Sequence, residues 1–197
     1  ISSAKEKDQY AIYSTINRFI IKLAIVISTI LLFTTPLIAD FLRIDNFFMV
    51  FFLSPILFLT LTTLVNQATS QGLLKFSGTV IPTLISAVVK LLFGLVFIYF
   101  GWSVSGAIGA IVIAAALAYL YSFWFIKKVI KKWKIAKIDL KPFFKYSLPV
   151  LVQALAFTSL FTIDVILVKH FLPAFQAGIY AALSTLGKII FFAASPI

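Results

Sequence analysis

The chain has 197 residues, of which 62% are apolar and only 12% charged, yet it carries a formal net charge of +11. Soluble domains are about half apolar and a quarter charged, so a water-solvated globule is excluded, and the mean hydropathy of +1.10 agrees. The absence of Cys removes disulfides, thiolate nucleophiles and sulfur metal sites.

A helix needs about 20 apolar residues to cross a hydrocarbon layer roughly 30 Å thick. Apolar runs of that order cover approximately residues 16–38, 47–69, 79–100, 104–126, 148–168 and 179–197. None shows the ten-residue alternation of a membrane barrel. The expected fold class is therefore an all-α integral membrane protein with about six transmembrane helices. The first run is too long for a signal-peptide core and more spans follow, so no cleaved secretory signal is expected. With Ile1 at its start and an apolar run at its end, the sequence reads as an internal fragment of a longer protein.

The connections at residues 39–46, 71–78, 101–105 and 169–178 are short, which makes neighbouring spans antiparallel. One connection is long. Residues 127–147 hold Lys127, Lys128, Lys131, Lys132, Lys134, Lys137, Lys141 and Lys145 against the single acid Asp139. The positive-inside rule puts this linker in the cytoplasm of a cell (inner) membrane protein. Counting spans outward from it places Lys5, Lys7, Arg18 and Lys75 on the same side and only Arg43 and Lys169 opposite, twelve cations against two. The linker reads as a topology anchor that also touches anionic lipid heads; a nucleic-acid patch is the less economical reading, and no nucleic-acid partner is expected.

Charges inside spans carry the functional information, because each costs about 2.5 to 3.5 kcal/mol at the centre of a membrane helix. Three stand out: Lys90, Asp164 and Lys188. Thr79, Thr83, Ser86 and Lys90 share one face of the third span, which should front protein or a water-filled cavity. Gln153 and Asp164 align on the fifth span, and Tyr180, Ser184 and Lys188 on the sixth. Thr62 and Asn66 add neutral hydrogen-bonding groups on the second. For Asp164 and Lys188 an ion pair and a direct substrate role both stay open; Lys90 has no acidic partner on its own or adjacent spans, which favours an anion-binding role.

Other residues read as packing. Gly106, Ala110, Ala114 and Ala118 recur every four residues and form a smooth ridge. Pro36, Pro55, Pro82, Pro149 and Pro196 start or bend helices. His170, the single histidine, reads as an interface residue rather than a ligand, and no metal or cofactor site is expected.

The stretch Asn66-Gln67-Ala68-Thr69-Ser70-Gln71-Gly72-Leu73-Leu74-Lys75-Phe76, with a Lys-bearing span after it and then Gly101-Trp102-Ser103-Val104-Ser105-Gly106-Ala107, resembles the first bundle of polysaccharide and O-antigen flippases of the multidrug/oligosaccharidyl-lipid/polysaccharide exporter superfamily. In that family a cytoplasmic QG-x-x-[KR]-F turn precedes a short outer G-x-x-G-A turn. Phe144-Lys145-Tyr146-Ser147-Leu148-Pro149, followed by Ile163-Asp164, Val168 and Ala177-Gly178-Ile179-Tyr180-Ala181-Ala182, is similar to the opening of the second bundle. The resemblance implies a two-bundle alternating-access transporter. Residues 1–126 would be the latter part of its first bundle, 127–147 its linker and 148–197 the start of its second. It further implies that a lipid-linked oligosaccharide on a pyrophosphate carrier is flipped from the cytoplasmic to the outer leaflet, with polysaccharide polymerase and export machinery as partners. Lys90 and Lys188 would then attract the anionic head, Gln153, Ser86 and Thr83 would bond sugar hydroxyls, and Asp164 would pair with Lys188 or take part in ion coupling. A cation-coupled multidrug antiporter of the same superfamily is the nearest alternative, although its interior should be richer in acids. A membrane-embedded transferase is further off, because no HExxH, Cys nucleophile or carboxylate pair is present.

Overall fold

A computed structural model describes residues 6–44, 46–130 and 141–194, all helix and short turn with no strand among them. The helices are α1 (Glu6–Phe41), α2 (Phe47–Phe51), α3 (Leu53–Gly72), α4 (Ser77–Tyr99), α5 (Ser103–Val129), α6 (Lys141–Phe171) and α7 (Ala174–Ala194). Five stretches among the described residues are long and apolar enough to cross a membrane: Gln9–Phe41, Met49–Gly72, Ser77–Tyr99, Val104–Val129 and Lys145–Phe171. The sixth span, expected at 179–197, overlaps α7, a 21-residue helix that is not one of these five, and residues 195–197, including Pro196, lie outside the described residues.

Several helices outrun the apolar runs that announced them. α1 begins ten residues before residue 16, and its 36 residues reach about 54 Å, well past the hydrocarbon layer. α6 begins seven residues before 148. Hydropathy stops at the first charges, whereas backbone hydrogen bonding continues through the polar interface. Of the basic linker, residues 131–140 lie outside the described residues; Lys127 and Lys128 form the last turn of α5. The second expected span is broken once, between α2 and α3, where Pro55 has no N–H to offer the carbonyl of Phe51.

Turns are closed by backbone chemistry. After α1, α3 and α4 the residues Arg43, Leu74 and Gly101 take positive φ values of 50°, 57° and 81°. In each case the next N–H reaches back five residues: Ile44 to Ala39 O, Lys75 to Ser70 O and Trp102 to Phe97 O. These are Schellman closures, which satisfy the last helical carbonyls and reverse the chain within a few residues. Glycine adopts that conformation without strain; Leu74 and Arg43 do not.

The packing is inverted relative to a soluble protein. Most of the buried residues are small or hydroxyl-bearing, among them Ala11, Ala24, Ala110, Ala114, Ser14, Ser54, Thr62, Thr69, Ser70 and Ser122, while Phe33, Leu91, Leu95, Leu160 and Leu183 are exposed. Only lipid or further apolar protein can solvate such a surface, and small residues let helix backbones approach closely. The chain separates into two compact units, Ile1–Pro36 with Asn46–Ile138, and Leu37–Asp45 with Asp139–Ile197. In the first, α5 packs along α4 and α3 packs on both. The ridge on α5 makes this possible: Ala110, Ala114 and Ala118 are at most 5% exposed, and a Cβ on Gly106 would stand 2.6 Å from that of Phe97. α1 is tied to α3 by Ser54 Oγ, which donates to Ser28 O at 2.7 Å. In the second unit α6 and α7 form a hairpin.

Candidate functional site

In the first unit α3, α4 and α5 enclose a cleft of about 320 Å³. α5 supplies a wall of Ile111, Ala115 and Ala118, whose small side chains leave the space open. α4 supplies Pro82, Thr83, Ser86, Ala87 and Lys90, and α3 supplies Thr60, Thr63 and Gln67. Three of the residues expected from sequence, Thr83, Ser86 and Lys90, are thus brought together on one wall. The fourth member of that stripe, Thr79, is used otherwise: its hydroxyl donates to Gln67 O at 3.2 Å and fastens α4 to α3.

The polar chemistry of the cleft divides in two. Thr60, Thr63 and Thr83 donate their hydroxyl protons to the carbonyls of Ile56, Leu59 and Thr79 at 2.7–2.8 Å. Their oxygens therefore face a ligand as acceptors. The side chains of Ser86, Gln67 and Lys90 have no hydrogen-bond or ion-pair partner among the described residues, so hydroxyl, amide and ammonium donors are available. Among the described residues no carboxylate lines the space. Lys90 lies nine residues, about 14 Å, from the end of α4 at Tyr99, too deep for its side chain to reach a headgroup layer by snorkelling. The cleft is suited to an anion carried together with hydroxyl groups.

Sequence reasoning missed Thr60, Thr63 and Gln67, and placed polar function one step round the same helix, on Thr62 and Asn66. Those two are 2% exposed and face protein. Asn66 Oδ1 accepts from Tyr13 Oη of α1 at 2.9 Å, and Thr62 bonds the carbonyls of its own helix. The spacing of Thr60, Thr63 and Gln67, i, i+3 and i+7, was the signal that could have found them.

Gln153, Asp164 and Lys188 belong to the second unit. Tyr180 Oη donates to Asp164 Oδ2 at 3.0 Å, and Asp164 Oδ1 is buried with no hydrogen-bond partner among the described residues. Lys188 makes no ion pair with Asp164 within 4 Å there; it is half-buried two turns beyond Tyr180, and Gln153 is exposed on α6. His170 at the end of α6 stacks on Phe41, ring centroids 4.3 Å apart, with its Nδ1 2.6 Å from Phe41 O. Among the described residues no group of His, Asp and Glu can hold a metal ion.

No curated relative and no solved structure matches the chain. The model of one family, polysaccharide biosynthesis protein, matches residues 2–192. Its match runs through both turn motifs and both helical units, and the chain belongs to this flippase-type family of polysaccharide biosynthesis and export.

Proposed function

We propose that the protein moves a lipid-linked oligosaccharide from the cytoplasmic to the outer leaflet of the cell membrane, without catalysing a covalent step. The observation that supports this reading is the composition of the cleft in the first unit. Among the described residues that line it, one unpaired cation, Lys90, stands with hydroxyl and amide groups at mid-helix depth and with no carboxylate. A pyrophosphate asks for the cation, sugar hydroxyls ask for acceptors such as Thr60 and Thr83, and the lipid chain can remain in the bilayer. In the second unit, Lys188 and Gln153 would supply a cation and an amide of the same kind. The carboxylate of Asp164, held by Tyr180 on one oxygen and buried without a hydrogen-bond partner among the described residues on the other, would be the coupling group. The Lys-rich linker would face the cytoplasm, beside the enzymes that assemble the repeat unit.

The test is genetic and chemical. On deletion of the gene, lipid-linked repeat units should accumulate on the cytoplasmic side while surface polysaccharide falls, and the wild-type gene should reverse both. Normal surface polysaccharide together with new drug sensitivity would overturn the reading in favour of a cation-coupled drug antiporter.

A further inference from the structure

We propose that the basic end of the first unit holds a second site, a cleft for a phosphate anion between the start of α1 and the end of α5, whatever the mid-helix cleft carries. The space is about 440 Å³. α1 contributes Tyr10, Tyr13, Asn17 and Arg18, at i, i+3, i+7 and i+8, and α5 contributes Phe123 and Lys127, at i and i+4, so each helix presents one continuous face. The floor is fixed: Ile126 is 1% exposed, and Tyr13 gives its hydroxyl proton to Asn66. The walls are open. Among the described residues the Tyr10 hydroxyl, Asn17 amide, Arg18 guanidinium and Lys127 ammonium have no hydrogen-bond or ion-pair partner, and none that lines the cleft is a carboxylate.

Four unsatisfied donors, two of them cationic, converge on one cavity. Lys127 Nζ sits 4.0 Å from the centroid of the Phe123 ring, which holds the ammonium against the wall without neutralising it. The C-terminal end of α5 carries partial negative charge, so the attraction for an anion rests on Arg18 and Lys127. A guanidinium fork beside a point charge matches the tetrahedral oxygens of a phosphate. The phosphate could belong to the headgroup of an anionic lipid, which sits at this level of the span, or to a soluble ion.

The purified full-length protein in neutral detergent is titrated with phosphatidylglycerol, phosphatidylcholine and inorganic phosphate, with melting temperature and bound lipid as readouts. Phosphatidylglycerol should bind saturably and phosphatidylcholine should not. Arg18→Gln with Lys127→Gln should weaken binding at least about tenfold. Arg18→Lys with Lys127→Arg should retain most of the affinity, and Lys75→Gln with Lys145→Gln should bind as wild type. Saturable binding of inorganic phosphate in place of the lipid, lost in the same variant, would assign the site to a soluble phosphate. The proposal is overturned by an absence of saturable binding to either probe, by undiminished binding in the Arg18, Lys127 variant, by an equal loss in the Lys75, Lys145 control, which would mean a diffuse basic surface, or by an equal loss in the charge-conserving pair.

Discussion

Replacing Lys90 with Met separates a functional cation from a structural one, because the two roles predict opposite changes in stability. The ammonium is unpaired among the described residues and stands mid-helix in the cleft of the first unit. A lysine at the centre of a membrane helix costs up to about 3 kcal/mol on insertion scales, so a Met of similar length should leave stability unchanged or raise it. A cleft wetted by Ser86 and Gln67 places the gain toward the lower end. If Lys90 holds an anionic headgroup, the same substitution removes a hydrogen bond to a charged partner worth about 1.5 to 3 kcal/mol. That is roughly a tenfold to 150-fold loss in affinity. Lys90→Arg keeps the charge and should fall between. The assay pairs thermal unfolding of the solubilised protein with binding of a polyprenyl pyrophosphate and with export in the complemented deletion strain. Wild-type binding and export by Lys90→Met would refute the anion role. A lowered melting temperature that accounts for the lost export would assign Lys90 to the scaffold instead.

Four further substitutions probe the frame that builds the cleft. A Cβ on Gly78 would run into the Ser70 side chain and stand 2.5 Å from Phe125 Cε1, so Gly78→Ala should cost about 1 to 3 kcal/mol, read as a fall in melting temperature. Gly94→Ala, with nothing within 4 Å, should be neutral or gain about 0.5 to 1 kcal/mol. Leu74 is 69% exposed and held at φ 57°, so Leu74→Gly should relieve strain of about 1 to 2 kcal/mol; a lowered melting temperature would show that its exposed side chain has an apolar partner in the membrane. Tyr13→Phe leaves the Asn66 Oδ1 acceptor without its donor and should lower stability by about 0.6 to 1.7 kcal/mol, the range of hydrogen bonds between membrane helices; an unchanged melting temperature would mean that water replaces the phenol.

Sequence patterning reached different depths at different positions, and the reasons are physical. A lysine or a glycine-alanine ridge in an apolar run has a high cost or a single use, so Lys90, Ser86 and Thr83 fall in one cleft and Gly106, Ala110 and Ala114 in one contact, as their spacing indicated. Threonine is different. Bonded to the carbonyl four residues back, it is satisfied on any face of a membrane helix, so Thr60 and Thr63 stand apart from Thr62 only through the face they share with Gln67. Helix ends were hidden because charge marks the water interface and not the last backbone hydrogen bond.

Asp164 shows what chain geometry adds to periodicity. It lies seven residues before the end of α6 at Phe171, and Tyr180 lies six residues after the start of α7 at Ala174. In a hairpin the two therefore stand at the same depth, and the phenol reaches the carboxylate at 3.0 Å. Lys188 is eight residues further along α7, about 12 Å deeper. Face alignment alone cannot separate Tyr180 from Lys188; counting from the turn does. At that depth Lys188 makes no ion pair with Asp164 within 4 Å among the described residues, so under the proposed function the two charges would act on different parts of a ligand or on a ligand and an ion. A transporter that couples the two needs that separation, because groups already neutralised by one another have little field left for either.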